Sequence, residues 1–234
     1  MSDKDSKNLQ GTWVQALVSF LFPIFLVLSL RWALAEPFII PSESMLPNLL
    51  VNDQILVKKF SYGIKLPFTQ TFLWQWSSPQ RGDIIVFRYP ENPQVFYVKR
   101  VVGVPGDEIK VKDGRVTLNG ATVKLEIDEL EPRDSDEYFR FRENQYVVRF
   151  QNREAESEYL DEKFLVPEGK YFVLGDNRHH SADSRVWGFV DRNLLVGEAW
   201  FVWMSCDQTL QSIKFLCDPT KIRNERLFKR LDIP

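Results

Sequence analysis

The chain has 234 residues, of which 44% are hydrophobic, so it is long enough to bury the core of one or two small domains. Its formal net charge of -2 argues against a nucleic-acid partner, because such partners require a basic surface. Two histidines and two cysteines are too few for a closed structural zinc site of the usual kind, and we expect no metal.

The first feature in chain order is a long apolar segment. Residues 8–30 carry no charge, and a helix needs about 20 residues to cross the hydrocarbon core of a membrane. We therefore predict a tail at 1–12 and a transmembrane anchor at 13–35. One alternative is a buried helix of a soluble domain. Another is a cleaved signal peptide, because Ala33-Leu34-Ala35 has a small-x-small pattern, but Arg31 interrupts the apolar run before it.

The segment at 41–47 follows the apolar stretch and places two serines, Ser42 and Ser44, between two prolines. Each proline fixes its own φ and biases the preceding residue toward extended geometry. The hydroxyls therefore lie on a stiff, non-helical backbone close to a membrane-length segment. We interpret Ser44 as a nucleophile that acts at a membrane surface.

The rest of the chain alternates short apolar runs with turn residues, which indicates strands rather than a helical bundle. Between 126 and 162, thirteen acidic residues outnumber five arginines, which predicts a solvated insertion. We divide the chain into a β domain at 36–112 and 164–234 with an inserted subdomain at 113–163. The predicted strands are 51–57, 83–89, 95–104, 164–166, 171–174 and 199–204, and the predicted hairpin turns are Asp113-Gly114 and Asn119-Gly120.

An uncharged aromatic run lies at 67–76 and includes Phe68, Leu73, Trp74 and Trp76. It has two interpretations of equal weight. The run is either part of the core or an exposed lip that enters the membrane interface, where tryptophan is favoured.

Two cysteines, Cys206 and Cys217, lie eleven positions apart near the C-terminal end of the sequence. In an oxidising compartment a disulfide between them would contribute roughly 2–3 kcal/mol on the chain-entropy model. Two unrelated buried thiols are the alternative.

A nucleophilic serine needs a base, and histidine is one candidate. His179 and His180 are adjacent in a polar loop, and either one, with Asp176 or Asp183, would complete a Ser-His-Asp arrangement with Ser44. Adjacent histidines in a polar loop are more often simply solvated.

The other candidate base is Lys99, which lies in an apolar strand next to Arg100. By strand alternation the two side chains point to opposite faces, and both faces are otherwise apolar. At its ordinary pKa only about 1 lysine in 2,500 is neutral at pH 7, and burial that lowers the pKa by about two units raises this fraction roughly a hundredfold. A Ser-Lys dyad is therefore available. A lysine whose stem packs while its amine reaches solvent is the common alternative.

Beyond the predicted anchor, residues 41–188 carry five motifs in order. These are Pro-Ser-Glu-Ser-Met-x-Pro at 41–47, Arg-Gly-Asp-Ile-Ile-Val-Phe at 81–87, Tyr-Val-Lys-Arg-Val-Val-Gly at 97–103, Pro-Gly-Asp at 105–107, and Gly-Asp-Asn through Ser-x-Asp-Ser-Arg-x-x-Gly at 175–188. Together with the anchor, this ordered set resembles the type I signal peptidases, membrane-anchored serine endopeptidases with a Ser-Lys dyad.

The resemblance implies a role for each site residue. Ser44 is the nucleophile and Lys99 the general base, while Ser42 helps to form the oxyanion hole. Ser181 orients the lysine amine by a hydrogen bond, and Asp183 and Arg185 brace its loop. Phe38, Ile40, Tyr97 and Val98 bind the substrate in shallow pockets that admit alanine-sized side chains.

The resemblance also implies a mainly antiparallel β fold with a small inserted β subdomain and one N-terminal transmembrane helix. It implies no cofactor, a monomeric enzyme, and cleavage of exported preproteins after Ala-x-Ala sites near the secretion translocon and the lipid bilayer. The catalytic domain would lie on the extracytoplasmic side of the plasma membrane. The tail beyond Trp203 is similar to cyanobacterial members, which permits a thylakoid location.

Two departures from the family pattern are Glu43, at a position often filled by a small or polar residue, and His179-His180, which replaces a more usual Asp-Asn pair. Two other functions remain open. One is a related Ser-Lys protease that processes a single secretion or conjugation partner, and the other is a non-enzymatic membrane-anchored β domain.

Overall fold

The computed structural model describes residues 13–66, 69–128, 133–135, 138–151, 163–210 and 213–231. The predicted tail at 1–12 and parts of the predicted insertion lie outside these ranges. The described elements are α1 (Trp13–Leu34), β1 (Ala35–Ile39), β2 (Gln54–Lys58), β3 (Gly63–Lys65), β4 (Phe72–Gln75), β5 (Ile84–Tyr89), β6 (Asn92–Gly103), β7 (Glu108–Lys112), β8 (Arg115–Leu118), β9 (Ala121–Thr122), β10 (Leu125–Ile127), β11 (Arg133–Ser135), β12 (Tyr138–Glu143), β13 (Tyr146–Gln151), β14 (Lys163–Leu165), β15 (Lys170–Leu174), α2 (Ser184–Trp187), β16 (Val190–Asp191), β17 (Leu195–Met204), β18 (Thr209–Leu210), β19 (Ile213–Cys217) and β20 (Lys229–Arg230).

Helix α1 occupies the segment predicted as an anchor and leads directly into β1. Its described apolar side chains are exposed, among them Trp13, Phe20 and Phe25. Among the described residues, no helix has both the length and the apolar character needed to span a membrane. The transmembrane anchor therefore stays a prediction.

The predicted antiparallel β architecture is confirmed. The largest sheet has the strand order β1-β2-β17-β5-β6-β15-β16, with β20 paired to β17, and its described ladders are antiparallel. β1 lies at one end of this order, so one of its edges is unpaired. Strand β6 is long, and β15 pairs only with its C-terminal part, from Arg100 to Gly103. Residues 92–99 of β6 therefore also present a free edge.

Both faces of the large sheet are buried, as strand alternation shows in β5. Ile84 and Val86 pack in one hydrophobic cluster, and Ile85 and Phe87 pack in another on the opposite face. The first cluster also contains Met45, from the loop that carries the two serines. The core therefore fixes this loop by its apolar side chains.

The predicted hairpin turns at Asp113-Gly114 and Asn119-Gly120 are confirmed, with positive φ at all four residues as two-residue hairpin loops require. They connect β7, β8 and β9, which form a sheet with β14, while β10, β11, β12 and β13 form another sheet. β7, which our division assigns to the main β domain, pairs with β8 of the proposed insertion.

The described part of the aromatic run belongs to the β3–β4 hairpin, and Leu73, Trp74 and Trp76 do not enter the core. Leu73 is 65% exposed, Trp74 70% and Trp76 50%. The core interpretation of these three residues is wrong, because β4 pairs only with the short strand β3 and nothing described covers its outer face. Phe68 lies outside the described residues.

The C-terminal segment folds back on the sheet after β17. Cys206 and Cys217 are joined by a disulfide, with their Cα atoms 5.7 Å apart, and strands β18 and β19 lie between them.

Candidate active site

The loop at 40–53 carries Ser42 and Ser44 and is closed at its base by backbone hydrogen bonds. Ile40 N donates to Asp53 O and Asn52 N donates to Ile40 O, both at 2.9 Å. Met45 and Leu49 anchor the loop in the core, where each is at most 1% exposed. Ser44 is thereby held on a rigid support at the end of β1.

The structure brings Lys99 to Ser44, although 55 positions separate them in sequence. Lys99 Nζ lies 2.8 Å from Ser44 Oγ and 3.1 Å from the carbonyl oxygen of Val98. Ser42 Oγ lies 3.3 Å from Ser44 Oγ on the other side. The amine and two hydroxyls thus form a continuous hydrogen-bonded row.

The surroundings of Lys99 favour its neutral form. Its side chain does not reach solvent, since the residue is only 4% exposed. Burial lowers the pKa of Lys99 to about 8, and the more distant charges of Asp183 and Asp176 oppose part of that effect. With such a pKa, about one lysine in ten is neutral at pH 7, compared with about 1 in 2,500 for an ordinary lysine.

Neither histidine contacts Ser44 in the described part of the chain. The ring of His179 is held between the backbone N–H of Gln151, at 3.0 Å, and Asp113 Oδ1, at 3.1 Å. His180 Nε2 lies 3.1 Å from the hydroxyl of Tyr138. The geometry therefore favours the Ser-Lys arrangement over a Ser-His-Asp arrangement.

Both acidic candidates for a Ser-His-Asp arrangement are engaged by arginines. Asp176 accepts hydrogen bonds from Arg100 Nε and Nη2 at 2.7 and 2.6 Å. Asp183 accepts from Arg185 Nε and Nη2 at 2.7 and 2.8 Å, and also from Gly175 N at 3.0 Å. These paired contacts brace the loop at 175–185.

Ser181 lies in the same loop but does not make the predicted hydrogen bond to Lys99. Its hydroxyl is buried and has no hydrogen-bond partner among the described residues. Gly175 explains its close approach, because a Cβ at that position would lie 2.3 Å from Ser181 Oγ and 2.5 Å from Ser44 O. The amine of Lys99 is directed to Ser44 and Val98 instead, which leaves Ser181 Oγ unpaired.

Several residues that we did not predict hold the Ser44 loop from the side of the 175–185 loop. Asn177 N donates to Ser44 O and Asn177 Nδ2 donates to Glu43 O, both at 3.1 Å. Asn48 Nδ2 donates to Asp176 Oδ2 at 2.7 Å. The Gly-Asp-Asn motif indicated that this loop belongs to the site, but the sequence did not show which backbone atoms the loop would bind.

A groove of about 570 Å³ opens in front of Ser44 and Lys99. The free edges of β1 and β6 lie on its two sides, and the predicted binding residues line it together with His180 at the rim. Its lining residues are Phe38, Ile39, Ile40, Pro41, Ser42, Glu43, Ser44, Met45, Val95, Phe96, Tyr97, Val98, Lys99, His180 and Ala182.

Comparison with known proteins identifies the family. The model of the family described as "Signal peptidase, peptidase S26" matches residues 13–204. The chain is 44% identical to signal peptidase I of Pseudomonas fluorescens, over 85% of this chain and 75% of that protein, and 42% identical to that of Pseudomonas aeruginosa over the same shares. It is 35% identical to signal peptidase I of Buchnera aphidicola subsp. Acyrthosiphon pisum, over 96% of this chain and 84% of that protein.

Among solved structures, a signal peptidase I from Enterococcus faecalis V583 is 32% identical to this chain. The match covers 52% of this chain and 97% of that structure, with a TM-score of 0.36. The family model and the curated relatives, which extend over most of the chain, show that this chain belongs to the signal peptidase family, peptidase S26.

Proposed function

We propose that this chain is a serine endopeptidase that removes signal peptides from exported preproteins, with Ser44 as nucleophile and Lys99 as general base. The observation that carries the proposal is the 2.8 Å contact between Ser44 Oγ and Lys99 Nζ, formed by a buried lysine whose pKa is lowered to about 8. A buried amine at this distance is suited to accept the serine proton.

The reaction begins when the neutral Lys99 amine accepts the proton of Ser44 as Oγ attacks the scissile carbonyl carbon. The protonated amine then gives that proton to the departing amino group, and an acyl ester on Ser44 remains. Lys99, neutral again, accepts a proton from the water that attacks the ester, and it passes this proton to Ser44 Oγ as the bond between the acyl carbon and Oγ breaks. This sequence leaves the signal peptide with a free carboxylate and restores both residues.

The oxyanion that forms during each attack needs hydrogen-bond donors. Ser42 Oγ, 3.3 Å from Ser44 Oγ, and the backbone N–H of Ser44 are our candidates for this role. One such donor contributes about 2.7–4 kcal/mol to transition-state stabilisation in other serine proteases. Asp183 and Arg185 support the site by holding the 175–185 loop, and we assign Ser181 a supporting role in the same loop.

The substrate binds as an extended strand in the groove. The free edges of β1 and β6 offer unpaired backbone groups on both sides, which suits the addition of a peptide strand between them. Phe38, Ile40, Tyr97 and Val98 line the groove, and we assign to them the pockets that admit small side chains such as alanine next to the scissile bond.

The chain acts at a membrane in this proposal. α1, within the proposed anchor at 13–35, presents apolar side chains without a partner in the described β domain, and the β3–β4 hairpin exposes Trp74 and Trp76. We place the monomeric catalytic domain on the extracytoplasmic side of the plasma membrane, near the translocon and the bilayer, with the thylakoid as the alternative membrane. Replacing both tryptophans by alanine should lower binding of the full chain to liposomes, and unchanged binding would remove the hairpin from the interface.

The function is tested by incubating the full chain in detergent or liposomes with a panel of preproteins. We expect cleavage after Ala-x-Ala sites by the parent protein and none by Ser44→Ala. Cleavage of a single dedicated partner from the panel would indicate the narrower Ser-Lys protease, and equal processing by Ser44→Ala would refute the proposed nucleophile.

A further inference from the structure

The Ser44 loop is held from a second side by a part of the chain that lies beyond the family match, which ends at residue 204. We call this part the C-terminal clasp and define it as residues 205–210 and 213–227. It contains the Cys206–Cys217 disulfide and the short 3-10 helix Asn224–Arg226. Its hydrogen bonds reach the second half of the 40–53 loop.

Arg226 makes the central contacts of the C-terminal clasp. It is 7% exposed, and it pairs with Asp53, which is fully buried at the base of the Ser44 loop. Arg226 Nε donates to Asp53 Oδ1 at 3.2 Å, and Nη2 donates both to Asp53 Oδ2 and, at 2.9 Å, to Asn48 O. One guanidinium thus connects the base of the loop to its middle, four residues after Ser44.

Asp53 connects Arg226 to the backbone of the Ser44 loop by hydrogen bonds. Its Oδ2 accepts from Leu50 N at 2.8 Å, and its own carbonyl accepts from Ile40 N at 2.9 Å, where the loop begins. Asn48, whose carbonyl Arg226 binds, also donates to Asp176 on the opposite side of the site. The loop is therefore clamped between the C-terminal clasp and the 175–185 loop.

The remaining contacts keep Arg226 in place. Arg223 Nη1 donates to Val51 O at 3.1 Å, and Arg223 Nε donates to Asp207 Oδ1 at 2.7 Å. Gln54 Nε2 donates to Phe215 O at 2.9 Å and lies 3.7 Å from Cys217 Sγ. One cysteine of the disulfide thus lies at the contact with Gln54, the residue that follows Asp53.

We propose that Arg226 is a positioning residue for Ser44, and that the Cys206–Cys217 disulfide keeps the C-terminal clasp, and with it Arg226, in its working position. Arg226 acts through the Ser44 loop and does not touch the substrate. The inference rests on the proposed function, since it requires Ser44 to be the nucleophile. Displacement of a reacting atom by about 1 Å lowers rates by about 100-fold in other enzymes, so loss of this contact should appear in kcat.

The deciding variant is Arg226→Lys, which keeps a cation opposite Asp53 but cannot bind Asp53 and Asn48 O with one planar fork. The full chain is assayed on one preprotein, and rates are divided by the number of active sites titrated with a serine-acylating reagent. We expect kcat per titrated site to fall about 10- to 100-fold with KM within about twofold of the parent value. Arg192→Lys is the matched control, because Arg192 donates to Ser77 O, away from the Ser44 loop, and kcat should not change.

A purely structural role for Arg226 would lower the number of titrated sites and leave kcat per site unchanged, and this result would overturn the proposal. Reduction of the disulfide should lower kcat per site in the parent and have a smaller effect in Arg226→Lys. No effect in the parent would remove the disulfide from the proposal. Ser44→Ala distinguishes failure of the proposed function from failure of this inference. If Ser44→Ala stays active, the proposed function fails. If Ser44→Ala is inactive while Arg226→Lys keeps its kcat, only the inference about Arg226 fails.

Discussion

Lys99 and Arg100 are neighbours on β6 and almost equally buried, yet their surroundings are opposite. Arg100, 2% exposed, is matched by both carboxylate oxygens of Asp176 and by the carbonyl of Gly82. Lys99 has no carboxylate within ion-pair distance among the described residues and contacts a serine hydroxyl instead.

The difference shows how one strand supplies both structure and chemistry. A guanidinium stays protonated at any accessible pH, so burial of Arg100 requires a carboxylate partner. An amine can lose its proton, so burial without a carboxylate partner gives Lys99 a lowered pKa and the capacity to act as a base. In the proposed function, the same apolar strand therefore holds Arg100 as a brace and Lys99 as the base.

The largest effect is expected when Lys99 is replaced by arginine, the residue type of its neighbour Arg100. Lys99→Arg places a permanently protonated group next to Ser44, so it cannot accept the serine proton. We expect kcat/KM on a preprotein to fall by about 10⁴-fold or more, as for loss of the base in other serine hydrolases. Circular dichroism of the variant provides the control for folding. Activity within tenfold of the parent would show that Lys99 is not the base.

The next largest effect is expected on stability, when Arg100 is replaced and Asp176 loses its partner. Arg100→Met leaves the Asp176 carboxylate buried without its ion-pair partner, which typically costs about 3–5 kcal/mol of unfolding free energy. Urea unfolding at neutral pH measures this loss. Arg100→Met combined with Asp176→Leu should recover part of it, because neither charge of this ion pair is then left buried without its partner. A loss below about 1 kcal/mol for Arg100→Met would mean that Asp176 finds another partner.

A smaller effect of opposite sign is expected for removal of the lysine charge. The pKa of Lys99 is about 8 in the folded state, below its ordinary value of 10.5, so the charged form destabilises the fold. Lys99→Met should therefore raise the unfolding free energy at pH 7 by about 3 kcal/mol.

The lowered pKa of Lys99 also determines how the stability gain of Lys99→Met depends on pH. Between pH 8 and 10.5 the unfolded chain binds the proton that the folded chain has lost, so the parent becomes more stable as pH rises and the gain of Lys99→Met disappears. Exposed Lys112→Met is the control, with an expected change within about 0.5 kcal/mol at all pH values. If Lys99→Met were less stable than the parent at pH 7, this would contradict the claim that the charged form of Lys99 destabilises the fold.

Local patterns in the sequence indicated several of the strands and offered Lys99 as one candidate base, which the resemblance to a known family then favoured. Alternation along 95–104 placed Lys99 and Arg100 on opposite apolar faces, and Asp-Gly and Asn-Gly marked hairpin turns through their tolerance of positive φ. The uncharged run at 67–76 was ambiguous, because the sequence shows that tryptophans are apolar but not whether another element covers them.

Long-range contacts account for what the sequence did not predict. Asp176 and Asp183 looked like candidates for a Ser-His-Asp arrangement, since nothing local shows that arginines engage them. Arg226 and Asp53 are 173 positions apart, and only the return of the chain after β17 brings them together. The Ser181 hydrogen bond was an inference from resemblance, and in this fold the Lys99 amine is directed to Ser44 and Val98.

The pH dependence of the acylation step tests the central claim, that Lys99 is a buried base paired with Ser44, most directly. Acylation of Ser44 should be followed under single-turnover conditions with one preprotein from about pH 5 to 10, a range that spans the ordinary pKa of histidine and the lowered pKa of Lys99. We predict a rate that rises through a midpoint near pH 8 in the parent and is absent in Lys99→Arg. A midpoint near 6.5 that survives Lys99→Arg would identify a histidine as the base and contradict the account.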